Sequence, residues 1–133
     1  MKLKRIGHVA LRTIDEARSR AFYRDILGFD VSEQDPDHGG TFMTLGDNFH
    51  TIDVFPTPDV ENAQKPAMGQ VGLFHIAFEV GEYADLKAAY RTLTEHAVQI
   101  SHCTDHVSQR SIYFRDPDQH LLELLTPGVW TIY

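Results

Sequence analysis

Ile6-Gly7-His8-Val9-Ala10-Leu11 returns later in the chain as Leu73-Phe74-His75-Ile76-Ala77-Phe78, with a histidine at the third place of an otherwise apolar run each time. The match continues at the same spacing, which lays Ala21-Phe22-Tyr23-Arg24 on Ala88-Ala89-Tyr90-Arg91. After a three-residue insertion, His50-Thr51-Ile52-Asp53-Val54-Phe55 falls on His120-Leu121-Leu122-Glu123-Leu124-Leu125. Self-similarity on this scale means one supersecondary unit built twice. Each copy carries a histidine early and a carboxylate late.

Punctuation and periodicity give both units the order βαβββ. In the first, a strand over 4–11 leads to a helix with Thr13 as N-cap and Asp15 and Glu16 in its first turn. Ala17, Ala21, Phe22 and Ile26 are its apolar positions, and Gly28 stops it. Strands over 29–34, 41–45 and 49–55 follow, separated by Asp35-Pro36-Asp37-His38-Gly39-Gly40 and Gly46-Asp47-Asn48. The second unit predicts a strand over 73–80 and a helix over 83–96 with Leu86, Tyr90 and Leu93 on one face. Strands over 98–103, 111–115 and 120–125 complete it, with Asp116 and Pro117 marking the last turn. Module 1 therefore covers 4–56 and module 2 covers 71–126. The connector, 57–70, is rich in Pro, Asp, Asn, Gln and Gly and has no apolar period. Either half alone would be marginal, so the expected organisation is one α+β domain over 1–133.

Glu123 and His75 stand in runs that read as buried strands, where an unpaired carboxylate costs several kcal/mol or neutralises itself. A divalent cation removes that difficulty. It supplies the counter-charge for a carboxylate and accepts neutral imidazoles, so His8, His75, Glu123 and Asp53 are the expected metal ligands. Aspartate is the shorter carboxylate, and Asp53 is expected either to ligate or to hold a ligand or water. Strand alternation points His50 and His120 away from those carboxylates, which makes His50 the weaker candidate and His120 a surface residue. Two imidazoles with one or two carboxylates and no thiolate suit Fe, Mn, Ni, Co or Zn. Three protein ligands leave positions open for substrate and oxygen. A fourth favours Lewis-acid chemistry.

The formal charge of −7 over 133 residues excludes the basic surface that nucleic acid or an anionic membrane demands. A small molecule is the expected partner. Cys103 is the sole cysteine, which fits a reducing, cytoplasmic setting. The apolar stretch after Lys2, Lys4 and Arg5 is broken by His8 and is too short for a signal sequence, and no run reaches the roughly 20 residues of a membrane span. Exposed sheet edges favour a homodimer. The connector and the tail with Trp130 and Tyr133 are expected to close a cavity or serve an interface.

These repeats, together with Phe22-Tyr23-Arg24-Asp25-Ile26-Leu27-Gly28-Phe29 and Tyr113-Phe114-Arg115-Asp116-Pro117-Asp118 running to Glu123, resemble the vicinal oxygen chelate superfamily. That superfamily includes glyoxalase I, extradiol dioxygenases, methylmalonyl-CoA epimerase, fosfomycin-resistance enzymes and bleomycin-binding proteins. The resemblance implies that the two modules form a curved mixed sheet or half-barrel around a metal-binding cavity. Thr104-Asp105-His106, Ile112-Tyr113, Asp116-Pro117 and Glu123 resemble the type I extradiol signature, with Gln119 standing where that signature has Gly or Pro. The likeness implies an Fe(II) triad of His8, His75 and Glu123, with His106 and Tyr113 beside the oxygens of a catecholic substrate. The family's usual histidine base, upstream of the second metal histidine, has no counterpart between Thr51 and Phe74. Two other activities fit the resemblance. They are glyoxalase-like or epimerase-like isomerisation through a metal-stabilised enediolate, and non-catalytic binding of an aromatic ligand or antibiotic.

Overall fold

The computed structural model describes residues 1–46, 49–106 and 109–127, the side chain of His106 excepted. Asp47 and Asn48 of the expected turn, and Trp130 and Tyr133 of the tail, lie outside the described residues. The chain divides into two compact units, Met1–Gln64 and Lys65–Tyr133.

Unit 1 runs β1 (Val9–Thr13), α1 (Glu16–Ala21), a π-helical turn (Phe22–Ile26), β2 (Asp30–Gln34), β3 (Thr41–Thr44) and β4 (Ile52–Pro56). Unit 2 runs β5 (Ile76–Glu79), α2 (Tyr83–Glu95), β6 (Ile100–His106), β7 (Gln109–Arg115) and β8 (Leu121–Leu125). The sheets are ordered β1-β4-β3-β2 and β5-β8-β7-β6. In each, the first strand pairs parallel with the last and the other pairings are antiparallel. A parallel pair needs a long crossover, which the helix and two intervening strands provide. The βαβββ order is thus present twice, in two mixed, open sheets of an α+β fold.

Sequence and structure differ at the start of each unit. Neither first strand includes its histidine: β1 begins at Val9 and β5 at Ile76. The residues before them, expected inside, face solvent, Ile6 at 79% and Phe74 at 77% exposure. Apolar character alone extends a strand assignment past the point where a partner strand ends. Here Val9 N–H donates to Thr51 O at 2.9 Å, the first bond of its ladder.

α1 is capped by Asp15, not Thr13: the Asp15 carboxylate accepts from Arg18 N–H, while Thr13 braces the Asp15 backbone. Gly28 ends the helical segment at φ +83°, as its position requires. In unit 1 the core gathers Leu11, Phe22, Tyr23, Phe29, Met43, Ile52 and Val54. Tyr23 is fully enclosed and meets Phe22 and Phe29 edge-on. In unit 2, α2 packs on β7 and buries Leu86 and Leu93, while Tyr90 is exposed. Ile112 and Phe114 of β7 oppose Leu124 and Leu122 of β8, which makes one apolar face. Among the described residues no helix is long and apolar enough to cross a membrane.

Candidate functional site

The carboxylates of the two units occupy the same place in the weave. Ala10 lies opposite Asp53 and Asp53 opposite Phe42, just as Ala77 lies opposite Glu123 and Glu123 opposite Tyr113. Directly opposed residues share a face, so each carboxylate sits on a central strand between a small residue and an aromatic ring. Both are buried, at 2% and 3% exposure. Each histidine, two residues ahead of its alanine, turns back onto the carboxylate of its own unit. His8 Nε2 is 3.7 Å from Asp53 Oδ2, and His75 Nε2 is 3.2 Å from Glu123 Oε1.

Around Glu123, the Ser111 hydroxyl donates to Oε2 at 2.6 Å, the short separation of a charge-assisted bond. The His75 ring meets Tyr113 edge-on at 5.6 Å. Burial, followed by the hydrogen bond to Glu123 and its negative charge, raises the Tyr113 phenol above its usual 10. Tyr113 therefore stays protonated at neutral pH and is a hydrogen-bond donor. Among the described residues His75 Nδ1 is buried without a hydrogen bond, and the ring's polar contact is through Nε2 to the carboxylate. Two donor atoms on adjacent coordination positions, with bonds of about 2.1 Å, stand about 3 Å apart. The His75–Glu123 separation fits a divalent ion between them, as does the chemistry of imidazole with carboxylate.

Asp53 is surrounded differently, and here sequence reasoning missed a residue. His50, expected to point away, places Nδ1 2.7 Å from Asp53 Oδ1 and 2.9 Å from Oδ2. Its ring stacks on His8 at 4.3 Å. Alternation failed because His50 lies two residues before β4, which begins at Ile52, and alternation holds only inside a strand. His8, His50 and Asp53 bring their donor atoms within 4.8 Å of one another. Unit 1 has no counterpart of Ser111. Gly40 holds that position, and a Cβ there would come within 2.4 Å of the Phe55 ring.

His120, expected at the surface, is also drawn in. Asp116 accepts from the Asp118 and His120 N–H groups through Oδ1 and faces His120 Nδ1 at 2.8 Å through Oδ2. The turn places Gln119 at φ +72°, so the backbone takes the left-handed form that the signature's glycine would ease. The Gln119 carbonyl accepts from Arg115 and its N–H donates to Asp116 O. Burial pulls the His120 pKa down, but the hydrogen bond to Asp116 and the charges of Asp116 and Asp118 outweigh it, leaving it above 6.5. A raised folded-state pKa contributes stability below the unfolded pKa and loses it as pH rises through the folded value. His120→Gln should therefore lower the unfolding free energy by about 1–2 kcal/mol at about pH 5.5, and by less at about pH 8.5. Urea titrations at the two pH values check this.

His106 ends β6, its backbone opposite Gln109. Tyr113 and Glu123 are thus brought together with His75, and Asp53 with His8 and His50.

Comparison with known proteins agrees with this architecture. Biphenyl-2,3-diol 1,2-dioxygenase 3 of Rhodococcus globerulus is 30% identical over 90% of this chain, and the chain spans only 62% of that protein's length. Metallothiol transferase FosB of Staphylococcus haemolyticus is 30% identical over 93% of this chain and 84% of its own. The crystal structure of a glyoxylase/bleomycin resistance protein/dioxygenase domain from Frankia sp. EAN1pec superposes with a TM-score of 0.82 at 21% identity, covering 95% of this chain and 99% of that one. Residues 5–124 match the family model itself, and the chain belongs to the glyoxalase/bleomycin resistance protein/dioxygenase superfamily.

Proposed function

We propose that this chain is a metal-dependent enzyme acting on a small molecule, and that its reaction is extradiol-type ring cleavage of a catecholic substrate with Fe(II) and O2. The observation that carries the reading is the buried Glu123 carboxylate, flanked by His75 Nε2 at 3.2 Å and by a tyrosine that keeps its proton. Similarity to a biphenyl-diol dioxygenase supports the substrate class. His75 and Glu123 hold the ion. Asp53 is engaged by His50 through both oxygens, which favours it as the partner of His8 over a fourth ligand. Fe(II), when bound, supplies a centre with open positions at which vicinal oxygens and O2 can be activated. Ni, Zn, Co and Mn suit the same donors.

The chain's own residues do the rest. Ser111 fixes one Glu123 oxygen and leaves the other toward His75. With substrate bound, the Tyr113 hydroxyl turns from Glu123 to donate its hydrogen bond to a substrate oxygen, and His106 assists proton movement, as the family resemblance implies. The protein works in the cytoplasm as a homodimer over a single domain, 1–133. The exposed Ile6, Leu73 and Phe74 ahead of β1 and β5 support self-association.

Protein purified without chelators or a histidine tag, then iron-loaded anaerobically and exposed to air, should convert members of a catechol panel to ring-opened products. No product across the panel overturns the reading. A second reading, glyoxalase-like or epimerase-like isomerisation, is favoured by the His8–His50–Asp53 cluster and by the FosB relative, whose length this chain nearly spans. It requires turnover without oxygen and its loss in Asp53→Ala. Tight aromatic-ligand binding with no metal under any loading condition would instead point to a binding protein.

A further inference from the structure

In unit 2 the row of opposed residues does not stop at Tyr113. A register shift between Ile100 and His102 places His102 directly opposite it, so Ala77, Glu123, Tyr113 and His102 follow one another across four strands on one face. A bulge of this kind redirects a side chain while the ladder continues. The His102 ring lies flat on Tyr113, with centroids 4.3 Å apart and planes 11° apart. Unit 1 shows the same shift between Val31 and Glu33, and its row ends on Glu33 opposite Phe42. The imidazole at the end of the row is thus a property of unit 2, the unit that also carries the Ser111–Glu123–His75 arrangement.

Other members of this row are already committed. Glu123 accepts from Ser111 and faces His75, and the Tyr113 ring, edge-on to His75, carries a phenol, a group that ordinarily keeps its proton at neutral pH. Removing a proton from a substrate hydroxyl at neutral pH calls for a different group. His102 is exposed, and its Nδ1 is 3.2 Å from Ser101 Oγ. When Nδ1–H donates to that hydroxyl, Nε2 carries the free lone pair and is the basic nitrogen.

We propose that His102 is the proton-transferring catalytic residue on this face, accepting a proton at Nε2 from a hydroxyl of the bound diol. The substrate O–H bond breaks, an N–H bond forms on His102, and the electron pair stays on the substrate oxygen. No oxidant or further reactant enters this step. The choice of a diol rests on the ring-cleaving reading above.

4-Nitrocatechol, whose visible spectrum reports its ionisation, tests the assignment anaerobically on the metal-loaded full chain at about pH 7. His102→Phe keeps a flat ring over Tyr113 and removes the base, whereas His102→Gln removes the ring and keeps a polar group. The expected result is normal metal content in both variants, bound probe shifted toward its less ionised form in both, and catechol turnover lowered about 100-fold. An unchanged spectrum of bound probe in His102→Phe overturns the assignment while leaving the ring-cleaving reading intact. Restoration of the wild-type spectrum by His102→Gln also overturns it, because hydrogen bonding alone would then suffice. A metal-loaded wild-type protein that binds no 4-nitrocatechol overturns the ring-cleaving reading and this assignment together.

Discussion

Glu123→Ala is expected to lower divalent-metal affinity by more than about 100-fold and to abolish turnover, a larger effect than any other single carboxylate replacement in the chain. The reason is local. Glu123 is 3% exposed, holds the Ser111 hydroxyl at 2.6 Å, stands 3.2 Å from His75 Nε2, and raises the Tyr113 pKa. Truncation removes the charge that a cation would share with His75 and leaves Ser111 without its acceptor. It also brings the Tyr113 pKa back toward 10, because two of the causes that raise it disappear. Glu123→Gln keeps the volume and an acceptor for Ser111, so it should fold normally yet share most of the metal loss. Metal analysis and calorimetric metal titration of the two variants give the result directly. Wild-type metal affinity in Glu123→Gln would show that this carboxylate is not a ligand.

The second large effect concerns stability. Phe114→Ala is expected to lower the unfolding free energy by about 3–5 kcal/mol, read as a shift in the urea midpoint with an unchanged slope. Phe114 is fully buried, opposite Leu122 on β8 and Ile100 on β6. It therefore joins three strands of the unit 2 sheet. It also alternates with Tyr113, so its side chain leaves by the face away from Glu123. The same truncation at exposed Tyr90 should change stability by less than about 1 kcal/mol, although Tyr90 was expected on an apolar helix face with Leu86 and Leu93.

Repetition carried most of what was legible in advance. The twofold βαβββ order follows from the offset histidines and carboxylates, because a repeated pattern survives errors in any one element. Element ends were harder. An apolar stretch such as Leu73-Phe74 has the composition of a strand, but composition carries no information on where the partner strand stops, and β5 begins at Ile76. The same limit explains His50. Alternation predicts side-chain direction only inside a strand, and His50 lies two places before β4 begins. His120 was misplaced for a related reason, since its position is set by the Asp116 carboxylate reaching four residues forward. At Gln119 the left-handed backbone of the signature's glycine persists without the glycine, held by bonds from Arg115 and to Asp116 that a residue-type rule cannot anticipate. The row ending at His102 depends on a one-residue register shift and has no signal in composition or period.

The Phe55 ring, lying where a side chain at position 40 would begin, bears on how two copies of one ancestral segment could have drifted apart. A serine at 40 would give Asp53 the neighbour that Glu123 has in Ser111. That exchange is closed while Phe55 holds its place, since even a methyl group meets the ring at 2.4 Å. The mutational order is therefore constrained. Loss or displacement of the ring must come first, and its own packing against Phe42, at 5.9 Å between centroids, is given up before the new hydroxyl brings any benefit. A valley of this kind lets one copy retain its chemistry while the other is diverted to a different neighbour, here His50, without the two converging again by single steps.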